Sequence, residues 1–556
     1  MRQSVRQRLT LRGVHVPVAL LAGAGQARAL ADAAGQASGA IQTLCMAAMC
    51  LLMLLAHRRM AAASPAGSPP WRRAASQGLW LGWWFAWGWL CATFWWLYIS
   101  MHVYGGMPGL LAAGAVAALA GALALYYAAA CAVWMVLMRG LTGAALLVRG
   151  SFVFAALWTL AELMRGQWFT GFPWGAIGYA HVDSALQGYA PWVGVYGVGA
   201  LAAAGAMALA ALLFERASGR SRAGVALAFA LVLSAPLAWQ QLRGDWTQSA
   251  GQASVRLLQG NVAQDEKFIP GRGLDDALIW YGQRLQDNQA SLVIAPETAI
   301  PLLPSSLPQG YWAQLAAHYA EHPDQLALVG MPMGSFQAGY SNALVSLGGA
   351  PMSAYRYNKH HLVPFGEFIP PLFRWFIDLM HIPLGDFQRG ALHQPALAWN
   401  NQRLAPNICY EDLFGEELAA SFVLTDAHHD TWGADQAPTA LVNVSNIAWF
   451  GKTIAIDQHL NISRMRAIEL QRPMLRATNT GATAIIDHQG RVQAQLARHT
   501  RGELMGQFDG RTGLTPYAWW AGHWGLKPLW AVCLCLCAWA WLTRGVKQRA
   551  TAPVAP

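Results

Sequence analysis

Long apolar runs fill the first half of this chain, and they constrain its fold more than any other feature. A helix crossing a bilayer needs roughly 20 mostly apolar residues, and such runs occur at 38–56, 78–100, 107–138, 184–214 and 223–242. Three further runs, 13–35, 142–163 and 520–543, are interrupted by Arg28 and Asp32, by Arg149 and by Lys527. Charges near helix ends can snorkel to the interface, so about eight transmembrane helices are expected. With 55% hydrophobic and only 12% charged residues, the chain falls outside the range of ordinary soluble enzymes.

The net charge of +10 does not point to nucleic acid, because the basic residues lie in short clusters between apolar runs with no aromatic-basic interleaving. They mark topology instead. Arg2, Arg6, Arg8 and Arg12 precede the first run; Arg58, Arg59, Arg72 and Arg73 follow the second; Arg139 and Arg149 follow the fourth. Arg216, Arg220 and Arg222 follow the sixth, and Arg544, Lys547 and Arg549 follow the eighth. Lysine and arginine collect on the cytoplasmic side, so both termini are expected in the cytoplasm and the long stretch between the seventh and eighth helices outside it. The organisation expected is a seven-helix membrane domain over 1–244, an extracytoplasmic domain over 245–519, a final helix over 520–543 and a tail over 544–556. The first run, ending in Ala22-Gly23-Ala24-Gly25, also has the form of a signal peptide; cleavage there would leave the downstream orientation unchanged. Two outer loops, Tyr104 to Gly109 and Thr170 to Gly175, read as an interfacial aromatic belt or as re-entrant elements at a lipid entrance.

From about residue 250 the pattern changes to short β-rich runs: 254–259, 291–295, 326–330, 343–347, 404–409, 440–444 and 482–487. Helix-like stretches over 273–289 and 454–470 lie between them. This mixture predicts one α/β or layered α+β domain. Of eight cysteines, seven lie in the apolar runs; Cys409 alone belongs to this domain, which excludes a disulfide within it.

Three polar signatures sit at expected strand ends. Ala295-Pro296-Glu297-Thr298-Ala299-Ile300-Pro301 offers a carboxylate that can act as general base. Tyr357-Asn358-Lys359-His360-His361 offers an ammonium that can favour a thiolate or stabilise an oxyanion. Ala405-Pro406-Asn407-Ile408-Cys409-Tyr410-Glu411-Asp412 ends an apolar strand on the lone thiol, and the acidic turn after it suits an exposed strand end. A nucleophilic thiol needs a base, a cation and backbone donors, the types that Glu297, Lys359 and the turn supply. Taken singly, each residue also has an ordinary structural reading. Adjacent histidines in a strand point to opposite faces, so His360 and His361 do not predict a metal site, and neither metal nor cofactor is expected. The His- and Asp-rich stretch 416–438 reads as a surface insertion.

In this order, the three signatures followed by Ser445-Asn446-Ile447-Ala448-Trp449-Phe450-Gly451 resemble the nitrilase superfamily, and within it the bacterial apolipoprotein N-acyltransferases. Arg472-Pro473, Arg476-Ala477-Thr478-Asn479 and Thr512 to Ala518 extend the likeness over nearly the whole chain. The resemblance implies a nitrilase-like α-β-β-α sandwich in the extracytoplasmic domain, with Glu297, Lys359 and Cys409 as catalytic residues. Glu367, Glu411 and Tyr410 fall on its supporting positions, and Phe268 and Trp449 on aromatic lipid contacts. Where the family has Lys-Trp this chain has Lys267-Phe268, and where it has Ser-Asn-Asp-Ala-Trp-Phe-Gly this chain has Ile447 for the Asp. The implied reaction moves an acyl chain from a membrane phospholipid, through a cysteine thioester, to the amine of a diacylglyceryl apolipoprotein. The enzyme is then expected as a monomer in the bacterial inner membrane. A membrane-tethered amidase using water, and a transporter with a binding domain, are the competing classes. Against a transporter, ionisable residues within the runs are sparse and Glu162 with Arg165 lies near a helix end.

Overall fold

The computed structural model describes residues 2–64, 70–214, 219–287, 290–348, 355–370, 387–423 and 437–543, with side chains from residue 15 onward. The described ends of the stretch 416–438, expected as a surface insertion, are not surface: Leu418, Ala419, Phe422 and Ala437 are buried in the core, because helix Gly415–Ala420 packs on a β-sheet; Asp426, His428, His429 and Asp430, and the tail beyond 543, lie outside the described residues. The chain forms two compact units. One comprises Met1–Trp95, Ala113–Gly244 and Leu526–Pro556; the other comprises Trp96–Ala112 and Asp245–Gly525.

Every apolar run forms a helix: Arg2–Ala27, Gly39–Ala62, Trp71–Phe94, Gly109–Leu137, Gly143–Gln167, Ala190–Phe214, Gly219–Arg243 and Lys527–Leu542. Among the described residues, five helical stretches are long and apolar enough to cross a membrane, or six if Pro516–Trp524 and Lys527–Leu542 together make one span. That is fewer than the eight expected. The difference lies partly in Arg2–Ala27, whose first half carries four arginines, and in Trp71–Phe94, which opens on Arg72 and Arg73 and is rich in tryptophan, a side chain suited to interfaces. Helices in lipid approach closely where small residues face each other; a Cβ on Gly23 would come within 2.0 Å of the Phe85 carbonyl oxygen. Glu162 and Arg165, at the end of Gly143–Gln167, serve the following loop. Glu162 accepts from the Ile177 amide at 2.9 Å, while Arg165 donates to the carbonyls of Phe172 (2.6 Å) and Trp174 (2.7 Å). A charged pair that satisfies loop carbonyls and amides in an apolar setting has a structural purpose.

The second unit is built on two six-stranded sheets. In one, β1 (Gln248–Gln259), β2 (Leu292–Ile294), β3 (Leu326–Ser335), β4 (Gly339–Gly348), β5 (Arg356–Asn358) and β12 (Gly502–Thr512) run in the order β12-β1-β2-β3-β4-β5. The other contains β6 (Leu397–Trp399), β7 (Gln402–Ile408), β8 (Ala440–Ser445), β9 (Met474–Thr478), β10 (Ala484–Ile486) and β11 (Val492–Gln495), in the order β11-β10-β9-β8-β7-β6. β1, β2 and β3 are parallel, as are β7, β8 and β9. Central parallel strands are covered on both faces; each residue of β2 and β8 is buried, the polar Asn443 and Ser445 included.

Leu257, Ile294, Leu328 and Leu344 of the first sheet meet Leu404, Ile408, Val442 and Leu475 of the second in one core. The outer face of the first sheet packs on helices Gly273–Gln286 and Tyr311–Glu321 through Tyr281, Leu285, Leu315 and Tyr319. Helices Gly415–Ala420, Ala455–Leu470 and Pro516–Trp524 cover the second through Leu418, Leu460, Tyr517 and Ala521. The layers are helix, sheet, sheet, helix. Each fully buried aliphatic side chain contributes about 1.5–3 kcal/mol, so the sheet pair is a stiff support for whatever its strand ends carry. Ile447, which stands where the family has Asp, is 1% exposed and belongs to the outer core of the second sheet.

The segment Trp96–Ala112, which includes the first outer loop, belongs to this unit. Trp96 donates from its indole to Gln458 at 3.1 Å and lies 4.3 Å, ring to ring, from Phe450. Tyr104 sits edge-on to Trp449 at 5.9 Å.

Candidate active site

The site forms where strands end. β2 leads to Glu297, β5 to Lys359, β7 to Cys409 and β8 to Asn446. Because β7 and β8 are parallel with Ile408 opposite Val444, Cys409 and Asn446 leave the second sheet side by side. Two of the exits have left-handed backbones, Thr298 at φ +54° and Cys409 at φ +55°. Such conformations cost on the order of 1–3 kcal/mol and persist only where the surroundings impose them.

The three signatures converge. The Lys359 ammonium lies 3.3 Å from Glu297 Oε1 and 2.9 Å from Glu367, with Lys359 itself 1% exposed. Asn342, on β4, donates from one amide nitrogen to Glu297 Oε1 (2.7 Å) and Glu367 Oε1 (2.8 Å). The backbone N–H of Asn446 donates to Glu297 Oε2 at 2.8 Å. Burial alone would lower the Lys359 pKa, but the carboxylates of Glu297 and Glu367 more than offset it and the ammonium is held charged. Burial pushes the Cys409 thiol up, the charges of Glu297 and Glu367 add to this, and Lys359 with the Asn446 N–H pulls it back. At rest the sulfur is a thiol facing a carboxylate and an ammonium.

Glu411 ties two of the strand ends together. Its Oε1 accepts from the amides of His360 (2.6 Å) and His361 (3.1 Å), and its Oε2 from Ile408 N–H (2.6 Å) and Tyr357 Oη–H (3.0 Å). Burial raises its pKa to about 7 against the pull of these N–H groups and Lys359. The acidic turn is therefore buried, with Glu411 2% and Asp412 0% exposed, where the sequence suggested solvent; both carboxylates satisfy interior donors. The two histidines serve the scaffold: His360 Nδ1 pairs with Gly390 O at 2.8 Å, and His361 Nδ1 with Glu417 at 2.9 Å while its ring stacks on Phe414 at 3.6 Å.

Phe268 is 55% exposed beside the site, and Trp449 is half-buried three residues beyond Asn446. Lys267 reaches further in than its sequence neighbour: it is 2% exposed, and its ammonium donates to the Glu297 carbonyl at 3.3 Å. Burial lowers its pKa to about 8, with Glu297 opposing. Neither Asn342 nor Lys267 was assigned a role from the sequence. Asn342 stands beside Ser341, just before the run 343–347, and nothing local marks it out.

Two family descriptions match the chain, "Apolipoprotein N-acyltransferase N-terminal domain" over residues 38–208 and "Carbon-nitrogen hydrolase" over 272–517. The apolipoprotein N-acyltransferase of Verminephrobacter eiseniae is 51% identical over 537 residues, covering 92% of this chain and 93% of that protein. The chain belongs to the apolipoprotein N-acyltransferase family. A second member, from Ralstonia nicotianae, is 48% identical over 441 residues and covers 79% of this chain and 80% of its own length. The Bordetella bronchiseptica apolipoprotein N-acyltransferase is 40% identical, with 90% of this chain and 92% of that protein covered. Membership accounts for the pairing of a helical unit with a carbon-nitrogen hydrolase domain in one chain.

Proposed function

We propose that this protein N-acylates apolipoproteins by a two-step transfer through Cys409, with a membrane phospholipid as donor. The observation that carries the reading is the buried cluster of Lys359 between Glu297 and Glu367, whose charges act on the domain's one thiol at the end of β7. In the first step Glu297 takes the Cys409 proton and the sulfur attacks the ester carbonyl, forming a C–S bond and a tetrahedral oxyanion. Lys359 and the Tyr410 backbone N–H stabilise that oxyanion. The ester C–O bond then breaks and the lysophospholipid alcohol leaves with the proton from Glu297. In the second step the diacylglyceryl-cysteine amine attacks the thioester carbonyl, Glu297 accepts the amine proton, and the C–S bond breaks to return the thiol.

The membrane placement belongs to the same reading: eight crossings, both termini in the cytoplasm, and residues 245–519 on the periplasmic side of the inner membrane. Both substrates carry acyl chains that are costly to expose to water, and Phe268 and Trp449 are the aromatic side chains offered to them. Purified protein incubated with phospholipid alone is expected to gain one acyl mass on Cys409, and to lose it when a diacylglyceryl-cysteine peptide is added. Cys409→Ala should gain none. If the wild type shows no adduct and forms no N-acylated peptide, the proposal fails; turnover of small-molecule amides without phospholipid would mark a membrane-tethered amidase.

One glycine gives a finer test. A Cβ on Gly330 would come within 2.3 Å of the Pro296 carbonyl oxygen and 2.8 Å of Glu297 Cα, both backbone atoms that must shift. Displacing a catalytic group by about 1 Å can cost roughly 100-fold. Gly330→Ala is expected to lower single-turnover acyl transfer by about that factor in protein that still elutes as a folded species. Wild-type turnover would show that Glu297 need not sit where it does.

A further inference from the structure

Beside the backbone of the nucleophile lies a buried polar chain that the mechanism above does not use. His459, on helix Ala455–Leu470, places Nε2 3.2 Å from the carbonyl oxygen of Cys409. Its other ring nitrogen, Nδ1, accepts from Arg476 Nη2 at 2.7 Å. An arginine can only donate, so Nδ1 is an acceptor and Nε2 carries the hydrogen. Burial and the Arg476 charge both lower the His459 pKa and keep this ring neutral. Arg476 is fixed in turn: it donates to Ala482 O (3.0 Å), Asn443 Oδ1 (3.1 Å) and Ser463 Oγ (2.6 Å), and pairs with Asp412 at 3.5 Å. His459, Arg476 and Asp412 are all fully buried.

The geometry points to His459 as a positioning residue that aims the oxyanion-binding amide. In a trans peptide the C=O and N–H point in opposite directions. The carbonyl of Cys409 and the N–H of Tyr410 share one peptide plane, so a hydrogen bond holding the carbonyl towards His459 turns the Tyr410 N–H to the opposite side. Cys409 sits at φ +55°, a conformation that relaxes unless something holds it. The chain Asp412–Arg476–His459 therefore fixes the donor on which the tetrahedral intermediate depends, without touching substrate. The inference rests on the acyl-transfer reading proposed above.

Two reactions at the same sulfur separate this role from general support of the fold. Thioester formation passes through an oxyanion; alkylation by iodoacetamide displaces iodide and forms none. His459→Asn keeps an acceptor for Arg476 but is too short to donate to the Cys409 carbonyl, whereas His459→Gln can place an N–H near the Nε2 position. Loss of one oxyanion donor costs roughly 100- to 1000-fold. His459→Asn is expected to slow thioester formation about 100-fold in the full-length protein with phospholipid, with alkylation of Cys409 within about twofold of wild type. His459→Gln should recover at least a tenth of the wild-type rate. Unchanged thioester formation in His459→Asn, parallel loss of alkylation and acylation, or no difference between the Asn and Gln variants would each overturn the assignment. Absence of a thioester in the wild type would instead remove the acyl-transfer reading on which it rests.

Discussion

Lys359→Met is expected to remove acyl transfer almost entirely, by about 1000-fold or more, and to destabilise the domain at the same time. The variant leaves the carboxylates of Glu297 and Glu367, 7% and 8% exposed, sharing the Asn342 amide with no cation between them. Removing one partner of a buried ion pair costs about 3–5 kcal/mol, offset in part when one carboxylate takes up a proton. Adding Glu367→Gln to Lys359→Met should therefore recover stability while activity stays lost, a non-additivity that thermal melting of the single and double variants measures. The thiol supplies a second readout. Lys359 pulls the Cys409 pKa down against burial and the nearby carboxylates, and the thiolate is the reactive form. Without the ammonium less thiolate exists at any given pH, so the iodoacetamide profile moves to higher pH. A profile left in place would mean that Lys359 does not act on the sulfur.

What the sequence made legible follows from the range of the forces involved. Strands β2, β7 and β8 each contain a short apolar stretch followed by polar residues, and local pattern suffices to find them. Strand β12 mixes half-buried, exposed and buried positions with no strict period, and it owes its place to antiparallel pairing with β1, some 250 residues away, which no local window reports. Strands β5 and β6 have three residues each, too few for any period. The same contrast holds at the site. Glu297 and Cys409 announce themselves because a charge or a thiol ends an apolar run, and Lys359 because it stands in the polar signature Tyr357-Asn358-Lys359-His360-His361. Asn342, His459 and Arg476 have no such punctuation, and their roles depend on which atoms face them across the two sheets.

In Lys267-Phe268 the chain departs from its family at the aromatic ring, and the sequence points to that ring as the lipid contact. Yet the ring stands 55% exposed while the lysine beside it is buried against the Glu297 carbonyl. A buried ammonium constrains its surroundings far more than an exposed ring does. The acidic turn after Cys409 misled in the opposite sense: Glu and Asp in sequence suggest solvent, but an interior crowded with backbone N–H groups at strand ends can satisfy a carboxylate as water does.

That second case sets a further expectation of large effect, for Glu411→Ala. The carboxylate takes three buried backbone N–H groups, those of Ile408, His360 and His361, together with the Tyr357 hydroxyl. Each donor left unpaired costs about 1–3 kcal/mol. Water can reach part of the vacated space, since a cavity lined by Tyr357, His360, Asn407 and Glu417 already adjoins it, so a loss of about 3 kcal/mol is the expectation. Activity should fall further than stability, by about 100-fold or more, because the same carboxylate joins the peptide before Cys409 to the peptides after Lys359 and so sets the spacing of nucleophile and cation. Glu411→Gln distinguishes the two effects. Its carbonyl oxygen can keep the His360 and His361 amides and its NH2 can donate to a turned Tyr357 hydroxyl, but it then faces the Ile408 N–H with a second donor. This variant, with one donor unpaired, should lose about 1–3 kcal/mol, melt above Glu411→Ala and still transfer acyl chains slowly, with the deficit in the rate of thioester formation. Equal losses of stability and rate in both variants would reduce Glu411 to a packing residue, and the link between the Lys359 and Cys409 strand ends would have to lie elsewhere.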